Sequence, residues 1–94
     1  MQSLSVVFTR TFEVDIQKVI EYLIENDFDT DIVPEIRRKT ERLLSDSPEI
    51  GVMYDDDRQI RRITILSKNS VYYQVVGNVI NVLHIRAGRM SKEI

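Results

Sequence analysis

Basic side chains collect in one stretch of the chain, residues 58–89, which contains no acidic residue. They are Arg58, Arg61, Arg62, Lys68, Arg86 and Arg89. A guanidinium group can hold a phosphate or a carboxylate in a bidentate geometry, so the cluster predicts a surface that binds an anionic target. At a phosphate centre, Arg61, Arg62, Arg86 and Arg89 could supply the cation that stabilises a developing phosphorane charge.

An acid and a base for such a reaction are harder to find. His84 is the only histidine of the chain, and an unperturbed imidazole titrates near pH ~6.5, which suits acid–base work. It stands between Leu83 and Ile85, however, and this setting favours a structural histidine that is packed or hydrogen-bonded within a strand. The sequence leaves both roles open and favours the structural one.

Two pairs of adjacent residues in this stretch must divide between the faces of a sheet. Successive side chains of a strand point to opposite faces, so either Tyr72 or Tyr73 can share a surface with the arginines. The other is expected in the core. Arg61 and Arg62 divide in the same way: we expect one to pack against the sheet or pair with a helix carboxylate, and the other to face a target.

A run of three aspartates, residues 55–57, precedes the basic stretch. The run lacks the spacing and the glycine of an EF-hand loop, so we predict a solvated turn, with a weak cation site or a contact for a partner's arginine as the alternatives. The chain has no cysteine, which excludes disulfides, thiol catalysis and cysteine-ligated metals. We expect no metal and no cofactor.

The whole chain has the length and composition of one globular domain, residues 1–94. Hydrophobic residues make up 43% and charged residues 30% of it, which is far from a disordered composition. No apolar run reaches the roughly 18 to 20 residues of a membrane span and no basic leader opens the chain, so we expect a cytoplasmic protein without membrane contact. Residues 1–57 hold six basic and fourteen acidic side chains, whereas residues 58–94 hold seven basic and one acidic.

The elements that must position these residues follow from hydrophobic periodicity. Residues 3–10 alternate with period two and predict a strand. Thr9 or Thr11 can cap the helix that follows, over residues 12–27. Its apolar stripe comprises Ile16, Val19, Ile20, Leu23 and Ile24. A second helix is predicted to begin near Thr30 or Asp31, to tolerate Pro34 in its first turn and to end at residues 45–48. Its apolar face, predicted to lie against the first helix, comprises Val33, Ile36, Thr40, Leu43 and Leu44.

The remainder of the chain predicts an antiparallel meander. Residues 50–54 form a short strand or an extended link. Turn signals at residues 68–70 and at Gly77-Asn78 then divide three runs rich in Ile, Val and Tyr. The last two runs are apolar at both alternating sets of positions, which is typical of central strands. The predicted class is α+β: an N-terminal strand, a helical hairpin and a curved antiparallel sheet, with a loose tail after Gly88.

This order of elements carries residues that match a known family. The matching segments are Asp15-Ile16 with Ile20-Glu21-Tyr22-Leu23, Leu43-Leu44 with Ser47-Pro48-Glu49-Ile50-Gly51, Arg61-Arg62, Tyr72-Tyr73 and Ile85-Arg86-Ala87-Gly88-Arg89. Over nearly its full length the chain resembles the RelE/ParE superfamily of toxins from bacterial type II toxin–antitoxin pairs, and the ParE branch in particular. The resemblance implies growth arrest, plasmid stabilisation and neutralisation by a cognate, ParD-like antitoxin in a hetero-oligomer. We expect the antitoxin to contact Ile20, Leu23, Ile24 and Tyr73.

The two branches imply different targets. RelE-type toxins cut messenger RNA on the ribosome, many of them with a Tyr or His near the C-terminus, whereas ParE-type toxins inhibit DNA gyrase without ordinary catalysis. Residues 90–94 contain neither Tyr nor His, and the sequence pI is about 5.3. We therefore predict a ParE-like gyrase inhibitor that is not an enzyme and that binds its target through Arg58, Arg61, Arg62, Arg86 and Arg89. The alternatives are a RelE-like endoribonuclease, for which direct nucleic-acid binding would be needed, and a non-toxic module that only binds an antitoxin.

Overall fold

The architecture is one mixed sheet with two helices. A computed structural model of the chain describes residues 4–88. The elements are β1 Ser5–Phe8, α1 Arg10–Glu25, α2 Ile32–Asp46, β2 Val52–Asp55, β3 Ile60–Ile65, β4 Asn69–Val76 and β5 Val79–Arg86. The strand order is β1-β5-β4-β3-β2, with β1 parallel to β5 and the other neighbours antiparallel. The α+β class and the central place of β4 and β5 are confirmed, while the parallel β1 makes the sheet mixed.

α1 begins at the residue that the sequence offers as its cap. Thr9 is the N-cap, and its Oγ1 accepts a hydrogen bond from the amide of Phe12. The helix starts and ends two residues before the predicted bounds. Of the predicted stripe, Ile16, Val19 and Leu23 are buried and Ile20 is partly buried. Ile24, the last residue of the stripe, lies in the last turn of the helix and is 62% exposed.

α2 begins after Asp31 and ends before Ser47, close to the predicted bounds, with Pro34 in its first turn. Four residues of its predicted apolar face are buried, namely Val33, Ile36, Thr40 and Leu44, and Leu43 is partly buried. The backbone of α2 comes closest to β1 and β3. The apolar face of α2 was predicted to pack against α1. It packs mainly against the sheet instead, because the sheet has the larger flat apolar surface.

The two hairpin turns differ in how well the sequence located them. Gly77 has a φ of 62° in the β4–β5 turn, a left-handed conformation that glycine adopts without a steric penalty, and this turn lies where it was predicted. The β3–β4 turn lies over residues 66–68, where Leu66 and Ser67 also have positive φ. Asn69, predicted in the turn, instead starts β4 and is buried, with its Nδ2 donating to the carbonyl of Ile65.

The aspartate run ends β2 and enters the turn at residues 56–59, as predicted. Its structure is local: the Asp55 carboxylate accepts from the amide of Arg58, and the Asp56 carboxylate and carbonyl both accept from the Gln59 side chain. Within residues 4–88, no group of three or more histidines and carboxylates is placed to hold a metal ion. Neither helix of that segment is long and apolar enough to cross a membrane.

Candidate functional site

A bulge in β5 decides which face of the sheet carries the histidine. Tyr73 pairs with Val82 and Tyr72 pairs with His84, so Leu83 is left as an extra residue without a partner in β4. Val82 is fully buried on the helix-covered face. Because the extra residue inverts the alternation of side chains, His84 points to the opposite face, which we call the outer face. Arg86 follows His84 two residues later on this outer face.

The N-terminal part of α1 is bonded to the bulge at three points. The hydroxyl of Thr9 donates to the carbonyl of Val82 at 2.9 Å, and the hydroxyl of Thr11 donates to the carbonyl of Leu83 at 2.7 Å. One turn further along, Asp15 Oδ2 accepts from the amide of Ile85 at 3.1 Å. The carbonyl of Val82 also accepts from the amide of Thr9, whereas β1 ends before Leu83 and Ile85, so the Thr11 and Asp15 side chains supply partners there that β1 does not. The helix therefore fixes the bulge, and with it the direction of His84.

His84 and Asp15 form a hydrogen-bonded pair at the surface. The Nδ1 atom of His84 lies 2.9 Å from Asp15 Oδ2, and the two side chains are 56% and 24% exposed. An ionised carboxylate can only accept, so we assign the imidazole proton to Nδ1. In the neutral ring the Nε2 atom then keeps its lone pair, and it has no hydrogen-bond partner within residues 4–88. The prediction of a hydrogen-bonded histidine holds, but the side chain is not packed in the core.

The pair opens into a cleft of about 750 Å³ on the outer face. Its lining residues are Thr11, Asp15, Tyr54, Asp55, Arg58, Ile60, Tyr72, Leu83, His84, Ile85 and Arg86. Tyr72 lies directly opposite His84 in the ladder. The ring of Tyr54 meets that of Tyr72 edge to face, with 4.8 Å between their centroids. The cleft thus combines an aromatic wall with a histidine and two arginines.

Two of the predicted arginines lie in this cleft. Arg86 is exposed, and no ion pair holds its side chain within residues 4–88. Arg58 is 76% exposed and has its Nε 3.9 Å from Asp55 Oδ2, a loose pair that an anionic ligand can displace. Both guanidinium groups are therefore available to a ligand in the cleft.

Of the neighbouring pair Arg61 and Arg62, one side chain is held by the protein and the other is exposed, as predicted, but the group that holds Arg61 is not the predicted one. Arg61 donates to the carbonyls of Gly51 at 2.7 Å and Glu49 at 3.4 Å, so it is bound to the loop before β2 and not to a helix carboxylate. Arg62 is exposed and pairs with Tyr72 across the ladder, but it does not line the cleft. Arg89 lies outside the described residues.

Tyr73 belongs to the fold. Its ring is fully buried, its hydroxyl accepts from the amide of Gly51 at 2.9 Å, and it donates to the carbonyl of Pro48 at 2.9 Å. Burial raises the pKa of the Tyr73 phenol above its ordinary value, against the opposing effect of the Gly51 hydrogen bond. The prediction that Tyr73 contacts an antitoxin is incompatible with this burial, since the side chain offers no surface.

The remaining predicted contact residues differ in exposure. Leu23 is 5% exposed and belongs to the core, and Ile20 is partly buried. Ile24 is open to a partner. Phe28 is 39% exposed, and its ring lies 6.2 Å from that of Tyr22. A partner surface that includes Ile24 would therefore lie at the C-terminal end of α1, while Val14, 47% exposed, lies near the other end.

Asp15 and Tyr54 are cleft residues that the sequence did not reveal as such. Asp15 lies 69 positions from His84 in the chain. On the predicted helix, Asp15 falls between the apolar stripe and the solvated face. Its partner on β5 is determined only by the way in which α1 packs on that strand. Tyr54 stands in a short edge strand with no distinguishing motif. No sequence signal would have placed it beside Tyr72.

The cleft has the parts for proton transfer at a phosphodiester. A histidine oriented through Nδ1 by a carboxylate presents Nε2 as a general base. Arg86 and Arg58 can stabilise negative charge that develops on a phosphate. The tyrosine pair offers a surface on which a base can stack. His84, for which the sequence left both a structural and an acid–base role open, is exposed in the cleft and is placed where it could act as an acid or a base.

Comparisons with protein-family models and with curated proteins find no match. Solved structures do match. A chain of the RelBE2 toxin–antitoxin complex from Mycobacterium tuberculosis is 15% identical over 93% of both chains, with a TM-score of 0.70. A chain of the chromosomal ParDE toxin–antitoxin system from P. aeruginosa is 16% identical over 90% of this chain and 96% of that chain, also with a TM-score of 0.70. The chain therefore has the RelE/ParE-like α+β fold.

Proposed function

We propose that this chain is a toxin of the RelE/ParE superfamily, neutralised by a cognate antitoxin, and that it acts by cleaving RNA in the outer cleft. The toxin assignment is supported by the fold shared with chains of two toxin–antitoxin complexes, together with the sequence resemblance. The cleavage assignment rests on one observation, the exposed His84 held by Asp15 beside Arg86.

The chemistry follows from the positions of these three side chains. Nε2 of His84 takes the proton of a ribose 2′-hydroxyl, whose oxygen attacks the adjacent phosphorus. Arg86 stabilises the charge on the phosphorane. The bond from phosphorus to the 5′ oxygen breaks, and that oxygen takes a proton from water in the open cleft. The products are a 2′,3′-cyclic phosphate and a 5′-hydroxyl end.

Gyrase inhibition, predicted from the sequence, is the second candidate. The observation that favours it is the acidic balance of the chain, with a net charge of −2 and a pI of about 5.3. Proteins that bind nucleic acid through phosphates usually carry an excess of Lys and Arg. For a protein target the same cleft would serve as a docking surface, with Arg58 and Arg86 meeting carboxylates.

Two assays on the purified chain separate the candidates. In the first, messenger RNA on translating ribosomes is incubated with the chain, and the new ends are mapped and tested for a 2′,3′-cyclic phosphate. In the second, supercoiled plasmid and gyrase are incubated with the chain, and trapped cleaved plasmid is measured. We expect cleaved RNA with cyclic phosphate ends and uncleaved plasmid.

Variants connect the activity to the cleft. His84→Gln should lower the RNA cleavage rate at least ~100-fold, the usual range for removal of a general base. Arg42 is an exposed arginine on α2, away from the cleft, and Arg42→Ala is the matched control expected to cleave normally. Trapped plasmid with intact RNA would support gyrase inhibition and reject cleavage. Neither activity, with no effect on growth, would indicate a non-toxic antitoxin-binding module.

A further inference from the structure

The side of the outer cleft away from His84 contains side chains that take no part in the proposed bond-breaking steps. Three of them come from β2 and the turn after it, namely Tyr54, Asp55 and Arg58. In the strand order, β2 and β5 are three strand spacings apart, roughly 14 Å between backbones. The groups on the β2 side therefore meet a part of the substrate other than the reacting phosphate.

Tyr54 provides a stacking surface on this side of the cleft. Its side chain is 59% exposed, and its ring meets that of Tyr72 edge to face. In an edge-to-face pair at least one ring keeps both of its faces clear of the other ring. Every nucleic-acid base has a π-face that can stack on an open aromatic ring, so stacking attracts a base without choosing among the four.

Asp55 and Arg58 place hydrogen-bond acceptors and donors side by side next to the tyrosines. Asp55 Oδ1 accepts from the backbone amide of Arg58 at 3.2 Å, and its Oδ2 lies 3.9 Å from Arg58 Nε. A carboxylate has about four lone-pair sites, so most of the accepting capacity of Asp55 is unused. The Nη atoms of Arg58 have no hydrogen-bond partner within residues 4–88. One edge of a ligand can therefore donate to Asp55 and accept from Arg58.

Among the four RNA bases, guanine has the edge that matches this pair. It presents two adjacent N–H donors, at N1 and N2, with the acceptor O6 beside them. A carboxylate can accept from both donors while a guanidinium donates to O6. Adenine and cytosine present one amino donor next to a ring nitrogen that only accepts, and uracil presents one N–H between two carbonyls. Each of these three bases would turn an acceptor towards the carboxylate, and such a mismatch is costly in a site built for hydrogen bonding.

The geometry of a ribose relates this base to the bond that is cut. The base is attached to C1′ and the attacking hydroxyl to C2′ of the same ring, so the two are close together. Tyr72 lies opposite His84 in the ladder, and Tyr54 contacts Tyr72. A nucleotide whose 2′-hydroxyl reaches His84 Nε2 therefore has its own base at the two tyrosines.

We propose that Tyr54, Asp55 and Arg58 form a guanine subsite, which selects a guanosine of single-stranded RNA on the 5′ side of the cleaved bond. The base stacks on the tyrosine pair, its N1 and N2 donate to Asp55, and its O6 accepts from Arg58. The 3′ phosphate of the same nucleotide lies at Arg86. This inference rests on the proposed cleavage, but it is tested by binding of nucleotides that cannot be cut.

Binding of nucleoside 3′-monophosphates to the full chain tests the subsite. Affinity is measured by titration calorimetry, and the contact is located by amide shifts. We expect guanosine 3′-monophosphate to shift residues 54–58 and to bind at least ~10-fold more tightly than the adenosine, cytidine and uridine compounds. Inosine 3′-monophosphate lacks only the 2-amino group and should fall between them. Guanosine 5′-monophosphate should bind more weakly than the 3′ compound, because its phosphate does not reach Arg86.

Matched protein variants assign the preference to Asp55. Asp55→Asn keeps an oxygen for the Arg58 amide but loses the second acceptor, so the preference for guanosine over adenosine should fall at least ~5-fold. Asp57→Asn is the control, because it makes the same change of charge at an exposed residue of the same turn that does not line the cleft. The control should keep the preference of the native chain.

Three results would overturn the subsite: equal affinities for the four 3′-monophosphates, an unchanged preference in Asp55→Asn, or tighter binding of the 5′ compound, which would point to a free nucleotide as the ligand. Failure of the subsite is distinct from failure of the cleavage. RNA that is cut without guanosine at the new 3′ ends would reject the subsite alone. Selective binding of guanosine 3′-monophosphate without any cut RNA would reject the cleavage and leave a guanine-binding site.

Discussion

Tyr72 and Tyr73 are neighbours in β4 whose hydroxyls face different surroundings. The Tyr73 hydroxyl joins two backbone groups of the loop before β2, those of Pro48 and Gly51, within the core. The Tyr72 hydroxyl makes no hydrogen bond within residues 4–88, and its ring lines the cleft. Removing one oxygen atom from each side chain therefore separates a structural role from a role in the cleft.

Tyr73→Phe should destabilise the fold, because it leaves the buried amide of Gly51 and the part-buried carbonyl of Pro48 without this partner. We expect a loss of about 1–3 kcal/mol in the free energy of unfolding, measured by urea denaturation. Tyr72→Phe is the matched control on the same strand and should change stability by less than about 0.5 kcal/mol. Equal effects of the two substitutions would contradict the roles given to them.

Tyr73 also gives stability a pH dependence with a definite sign. Its pKa is raised in the folded chain by burial, so above pH ~10 the unfolded chain releases the phenol proton more readily than the folded chain. The free energy of unfolding should therefore fall as the pH rises through and above ~10. Tyr73→Phe should remove this part of the alkaline decline, and Tyr72→Phe should retain it.

Arg37 connects the two helices, and its guanidinium group also lies over the rings of Phe8, at the end of β1, and Phe12, in the first turn of α1. Arg37 of α2 donates to both carboxylate oxygens of Glu13 in α1, at 2.9 and 2.6 Å. Its Cζ lies 5.4 Å from the ring centroid of Phe8 and 5.5 Å from that of Phe12. The planar guanidinium makes all of these contacts at once, which an ammonium group cannot do.

Arg37→Lys should lower the free energy of unfolding by about 1 kcal/mol, since a bidentate pair and cation–π contacts are lost. The hydrogen bond from Arg37 lowers the pKa of Glu13 below 4.5, so its contribution is present above that pH and is lost as the pH falls through the folded-state pKa. Urea denaturation at pH 7 and at pH 3 should show that the free energy of unfolding of the variant approaches that of the native chain at the lower pH.

Arg38→Lys, at an exposed pair with Glu35 within α2, is the control. If Arg37→Lys were as stable as the native chain at pH 7, the Arg37–Glu13 pair would not contribute to stability as we propose.

At the element scale, hydrophobic periodicity was sufficient to predict the two helices and the antiparallel meander of β3, β4 and β5. The residues predicted for the apolar stripe of α1 and the apolar face of α2 are largely buried, because each helix has one apolar side that must be covered. The pairing of β1 with β5 could not be predicted, since a parallel neighbour is set by how the helices cross the sheet. The β3–β4 turn was misplaced because Leu66 and Ser67 adopt positive φ, which neither residue type predicts.

The bulge at Leu83 accounts for the main difference at the candidate site. β5 is apolar at both alternating sets of positions, a pattern that predicts a central strand, covered by helices on one face and partly covered on the other. The actual cause is a change of phase within the strand: Ile80 and Val82 face the core before the bulge, and Ile85 faces it after the bulge. A histidine between two aliphatic residues is therefore exposed. Apolar residues on both sets of positions do not by themselves distinguish such a change of phase from a regular strand that is covered on both faces.

At the scale of the whole molecule, the outer cleft and the β2 edge are adjacent surfaces, and the cleft is lined by the carboxylates of Asp15 and Asp55 as well as by two arginines. The cleft on the outer face contains Arg58, His84 and Arg86 together with the tyrosine pair. The β2 edge is apolar with carboxylates at both ends. Tyr54 belongs to both surfaces, because it stands in β2 and its side chain lines the cleft.

The most direct measurement of the central claim is bacterial growth after induced expression of the chain and of its His84→Gln variant at matched soluble levels. The native chain should arrest growth, and so should the Arg42→Ala control. His84→Gln should allow growth close to that of uninduced cells, because the fold is retained and only the group that accepts the proton is lost. Growth arrest by His84→Gln equal to that by the native chain would contradict the account, since the histidine would then have no part in the toxic activity.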